Sequence, residues 1–144
     1  MKDYLDKWAT LAEFLGVDRE EIKPDAYTKN LFTHDSEEYL VLTDTEADVA
    51  TRDYILESLW AFNASFILEC CNIDASENVV KSLQAMQEKC CENCNDFIQA
   101  LINGTCGIDD FILKAIDADG RGHFLSSYDS EENELNGLFI YRVN

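Results

Sequence analysis

Bases are scarce in this sequence: 11 Lys and Arg stand against 29 Asp and Glu, a formal net charge of −18 over 144 residues. Direct binding of nucleic acid or of an anionic membrane is therefore not expected, because each needs a basic footprint that repays counterion release. Long apolar runs are lacking as well. No 18-residue stretch is apolar, so no membrane-spanning helix is expected. The opening MKDYLDKWATLAEFLG mixes charge and apolar groups as an amphipathic helix does, and a secretion signal does not. The cytoplasm of a bacterial host is the expected compartment. There the six Cys stay reduced, and a disulfide framework is excluded. Repeats, low-complexity tracts and linkers are missing too, and the single proline, Pro24, lies between two early segments.

What is present is 47% hydrophobic, enough for one domain over residues 1–144 that buries about two-thirds of its unfolded surface. Tyr4, Leu5, Trp8, Leu11, Ala12 and Leu15 recur at helical spacing and Gly16 follows, which predicts a helix over 3–15. The run EYLVLT predicts a strand near 39–42 leading into a helix, with Thr43 and Glu46 spaced as a capping box. That helix, over 44–62, carries Val49, Ile55, Leu56, Leu59, Trp60 and Phe62 on its apolar arc and Glu46, Asp53 and Glu57 on an acidic stripe. Val79, Leu83, Met86, Cys90, Cys94, Phe97 and Leu101 form the seam of one long helix, and IDDFILKAI a shorter one. Alternation in HFLSS and LFIYRV predicts a C-terminal hairpin near 123–127 and 138–143. The fold class is α+β, a mostly helical single domain with a small antiparallel sheet.

KCCENC spaces Cys91 and Cys94 as zinc sites do, but the motif lies mid-helix rather than on a turn, and no second pair stands at finger spacing. The thiols read as small buried hydrophobes. A redox role is weaker still, since such a motif belongs after a strand at a helix N-terminus. No metal and no cofactor is expected.

The stretch DADGRGHFLSSYDSEEN, residues 117–133, gathers five acids, an Arg, a His and a Tyr. Aligned as a calcium loop it puts Arg121 among the ligand positions and Tyr128 where a bidentate Glu is required. A phosphate cradle fails because the glycines follow a helix and offer no helix N-terminus. As structure, Gly120 and Gly122 permit the turn and Arg121 pairs with surrounding carboxylates. As catalysis, His123 would be a general base oriented by Asp117 or Asp119, with Arg121 holding an anion and Tyr128 donating a proton. The negative surroundings disfavour an anionic substrate, and no nucleophile with a neighbouring base appears elsewhere, so structure or binding outweighs enzymatic use. His34, in FTHDSEEY, reads as a surface loop residue.

The runs YLVLTDTEADVATRDYILESLWAF and DGRGHFLSSYDSEEN, with the terminal FIYRVN, resemble a group of small, uncharacterised acidic proteins encoded by bacteriophages and other mobile elements. The resemblance implies a setting and brings no enzymatic activity with it.

Charge is distributed unevenly: residues 1–30 hold 7 acids and 5 bases, 31–80 hold 11 and 1, and 81–144 hold 11 and 5. A compact chain of this length is roughly 37 Å wide, and duplex DNA of that length carries about 22 phosphates. With the setting that the resemblance implies, this points to a DNA-mimic inhibitor of a basic, nucleic-acid-binding host defence protein, of the anti-CRISPR or anti-restriction kind. Glu46, Asp53 and Glu57 on the helix and Asp129, Glu131, Glu132 and Glu134 in the hairpin loop are the expected partner-binding acids. The alternatives are a generic protein-binding accessory domain and, third, a small enzyme built on Asp119, Arg121 and His123.

Overall fold

A computed structural model of the chain describes residues 2–144, with side chains from Asp6 onward. Tyr4 and Leu5, expected on the buried face of the first helix, thus have side chains outside the described residues. The elements run α1 (Lys2–Leu15), β1 (Ile22–Pro24), β2 (Leu31–His34), β3 (Glu37–Leu42), α2 (Asp44–Glu57), α3 (Ala64–Cys70), α4 (Glu77–Cys90), α5 (Asn95–Asn103), α6 (Ile108–Asp119), α7 (Arg121–Leu125), β4 (Asn133–Leu135) and β5 (Leu138–Arg142). Helices dominate and the strands form one antiparallel sheet, so the α+β class holds. Where the sequence reads as one unit over 1–144, the backbone contacts gather into two compact units, residues 1–51 with 119–144, and residues 52–118.

The first unit holds the sheet, in the order β1-β2-β3-β5-β4. Its two faces follow from the period of two along a strand. Tyr39 and Val41 of β3 and Leu138 and Ile140 of β5 join Leu11 and Ala12 of α1, Ile22 and Phe32 in one cluster. The intervening Leu42 and Tyr141 join Ala47 of α2 in another, with Leu40 and Phe139 packed against it. Each face thus has a helix of its own. Helix α1 stops as expected: Gly16 takes φ 70°, and the Val17 amide donates to the Ala12 carbonyl at 3.1 Å.

The C-terminal hairpin differs from expectation. Its first arm is β4 at 133–135, and most of 123–127 lies in α7. The reason is the turn: Asn136 and Gly137 both have positive φ, 55° and 77°, which makes a two-residue reversal pairing Leu135 with Leu138. Residues opposite β5 must then directly precede Asn136. The SS of HFLSS runs beside β5 through side chains, with Ser126 Oγ donating to the Arg142 carbonyl at 2.6 Å and Ser127 Oγ to that of Val143 at 2.8 Å. Strands β1 and β2 escaped the sequence reading because they are short; Pro24 is tolerated because β1 is an edge strand.

In the second unit the expected 79–101 helix is broken. Helix α4 ends at Cys90, Cys91 takes φ 49°, and a single 3₁₀ turn, Cys91–Cys94, leads into α5. The break rotates the following face by one residue, so Ile98 and Ile102 are buried while Phe97 is 57% exposed. Helix α2 likewise ends at Glu57, short of Phe62. Its successor segment is held by amides: Gln87 Nε2 donates to the carbonyls of Leu59 (3.0 Å) and Phe62 (2.9 Å), and Asn95 bonds the Glu57 carbonyl and the Trp60 amide. Phe62, Phe66 and Phe111 pack with ring centroids 5.6–6.3 Å apart.

Candidate functional site

The acid-rich stretch that follows α6 is organised by Arg121. Gly120, at φ 82°, ends one helix and begins the next, and Gly122 is buried against the loop: a Cβ there would lie 2.5 Å from the Ser130 carbonyl oxygen. This close approach sets the loop beside Arg121. The guanidinium Nη1 donates to Asp44 Oδ1 and to Asp48 Oδ1, each at 2.9 Å, and to the Asp44 carbonyl at 3.2 Å. Its Nε donates to Glu132 Oε1 at 2.8 Å, and the same oxygen accepts the Tyr141 hydroxyl. The Phe139 ring lies under the guanidinium, 4.7 Å from its centroid. Burial opposes the charge on Arg121, but the bonds to Glu132 and Asp44 outweigh it and raise its pKa. Burial, then the Glu132 carboxylate, pushes the Tyr141 phenol up as well.

The expected catalytic set is not assembled. Arg121 is committed to three carboxylates, His123 is exposed with its ring edge-on to Phe124 at 5.0 Å, and among the described residues no carboxylate bonds its imidazole. Asp117 and Asp119 are exposed. Tyr128 lies under the Arg142 guanidinium, 3.5 Å from ring centroid to Cζ, and Arg142 also pairs with Glu37 at 3.2 Å. His34 ends strand β2 instead of occupying a surface loop, its side chain 18% exposed. Its Nδ1 is buried with no hydrogen-bond partner among the described residues.

The seven expected partner-binding acids divide into two groups. Glu46 closes the capping box with Thr43, whose amide donates to its Oε1 at 2.9 Å, while Thr43 Oγ1 accepts the Glu46 amide at 3.2 Å. The same Oε1 takes the ammonium of Lys7 at 2.6 Å. Asp129 accepts from Ser126 Oγ at 2.8 Å and from the Glu131 amide at 3.0 Å, and Glu132 is held by Arg121. These three serve the fold. Asp53, Glu57, Glu131 and Glu134 are exposed. The sequence reading missed Asp44 and Asp48, which remain 70% and 62% exposed although both touch Arg121. The available signal was a lone Arg in an acidic stretch, which requires acids from elsewhere.

Of the thiols, Cys70, Cys71 and Cys94 are buried, Cys90 and Cys106 are half-buried and Cys91 is exposed. Burial pushes the pKa values of Cys70, Cys71 and Cys94 up, which suits inert packing more than nucleophilic chemistry. Among the described residues no group of three or more His, Cys, Asp or Glu is placed to hold a metal, and no helix is long and apolar enough to cross a membrane. Comparison with protein-family models, with curated proteins and with solved structures gave no match.

Proposed function

We propose that this protein is an acidic binding module, of bacteriophage or mobile-element setting, that inhibits a basic nucleic-acid-binding host protein by occupying its anion-binding surface. The observation that carries this reading is where the cations sit. The unit formed by residues 1–51 and 119–144 has 18 acids against 7 bases, a net of −11. Three of those bases are turned inward onto carboxylates: Lys7, Arg121 and Arg142 have side chains 3%, 11% and 26% exposed. The sequence's few cations are spent on holding the fold, and the acids are left to set the surface field. A surface of one sign attracts a basic partner at high rate, with strong dependence on salt.

Capture from host lysate at low salt, with elution in a salt gradient, tests this reading. The combined variant Asp53→Lys, Glu57→Lys, Glu131→Lys and Glu134→Lys alters exposed acids that have no bonding role in the fold. A nucleic-acid-binding protein that is retained by the wild type, released by moderate salt, displaced by duplex DNA and lost with the variant is the expected result. Equal retention by the variant, or indifference to competing DNA, would sink the inhibitor reading and favour an accessory protein-binding domain.

A further inference from the structure

Helix α1 has a polar face apart from the one that packs on the sheet. Asp6, Thr10 and Glu13 follow one another at spacings of four and three, which places them in a row. With Ala9 they form one wall of a cavity of about 370 Å³, closed by Thr43, Asn136 and Leu138. This volume lies within the usual range for small-ligand sites, roughly 300–1,000 Å³.

Two independent observations say what the cavity wants. Thr10 is 4% exposed, lines the cavity, and among the described residues its hydroxyl has no hydrogen-bond partner. Such a hydroxyl is costly to leave unsatisfied, so an occupant that bonds it is favoured. The charged groups of the lining are two carboxylates, Asp6 and Glu13, both exposed at their tips. Glu13 Oε2 accepts from Asn136 Nδ2 at 3.0 Å, which fixes that carboxylate across the opening. Lys7, next to Asp6 in the chain, gives no neutralisation, because its Nζ is bound to Glu46 at 2.6 Å and to Asn30 Oδ1 at 2.8 Å. Ala9 and Leu138 add an apolar wall.

We infer that this cavity receives a cationic alkyl chain, the side chain of an arginine or lysine on the basic partner. Its charged head lies between Asp6 and Glu13, one N–H donates to Thr10 Oγ1, and its methylenes lie on Ala9 and Leu138. An anion is repelled by the two carboxylates, and a neutral alkyl group leaves them and the hydroxyl without a donor. This rests on the proposed function in one respect, that the partner is basic.

The test is titration of the full-length, isotope-labelled chain, followed by amide chemical shifts, with n-butylguanidinium, with N-acetyl-arginine amide and with n-butanol as the neutral match. Saturable shifts at Ala9, Thr10, Thr43 and Leu138 are expected with both cations and not with butanol. Thr10→Val should weaken binding about tenfold, the loss of one hydrogen bond to a charged group. Thr10→Ser should bind as the wild type does, and Asp6→Asn with Glu13→Gln should abolish saturation. No saturable shift at these amides, equal shifts with butanol, or an unchanged Thr10→Val variant would overturn the assignment. Binding of butylguanidinium without N-acetyl-arginine amide would overturn the partner side chain as the occupant and leave a site for free small cations. Lysate capture is read on other residues, so a failed titration leaves that result standing, and failed capture leaves the titration standing.

Discussion

Glu46 shows how one residue can be legible in part. The sequence places it as the fourth residue of a capping box, and it is that; nothing local reveals that Lys7, 39 residues away, also lands on its carboxylate. Burial alone would raise its pKa, yet the Lys7 and Thr43 bonds outweigh burial and hold it below the usual 4.5. A depressed carboxyl contributes stability that is present above its unfolded pKa and lost as pH falls through the folded one. Thermal melts of wild type and Glu46→Gln should therefore differ at neutral pH, by about 1–2 kcal/mol, and converge on acidification below about pH 4. Tyr39 works at the other end of the scale. Burial, then the Glu37 carboxylate, pushes its phenol up to about 12, so its contribution is complete below pH 10 and is lost as pH rises through about 12; absorbance titration of the phenolate should show that late step, absent in Tyr39→Phe. Gly122→Ala should melt lower by about 1–3 kcal/mol or more, because the added methyl meets backbone at 2.5 Å, where no side chain can swing aside.

At the scale of elements, periodicity located α1, β3, β5 and α6, whose apolar residues repeat at 3.6 or 2 along an uninterrupted run. It failed where a single residue changes the phase. One positive φ at Cys91 divides the seam that runs from Val79 to Leu101, and its residue type gives no warning, because a Cys in the left-handed region is imposed by packing on both sides. Replacing Cys91 with Gly should relax that residue and leave the fold intact, for a gain of about 1 kcal/mol in denaturant unfolding. The hairpin failed for the opposite reason: Asn136-Gly137 is a strong local turn signal, and a longer apolar alternation upstream, HFLSS, outweighed it. Thr43→Ala should cost about 1 kcal/mol through the lost cap, with the loss read as a lower urea midpoint at unchanged slope.

For the whole molecule, charge is the governing quantity. A chain at −18 repels itself in the compact state, so its melting temperature should rise with sodium chloride from about 10 mM to 500 mM as the Debye length shrinks from roughly 30 Å to under 5 Å; a flat profile would mean that internal pairing neutralises the field. By itself the sequence determined the sign and size of that charge, the helix-rich α+β class and the lack of a membrane-length apolar helix, because composition and short-range period are properties of neighbouring residues. Only the tertiary structure decided which charges remain for a partner. Arg121 reaches Asp44 and Asp48 across 77 and 73 residues, and Lys7 reaches Glu46 across 39. These pairings depend on how the sheet and its covering helices close on one another, and no local pattern encodes that closure.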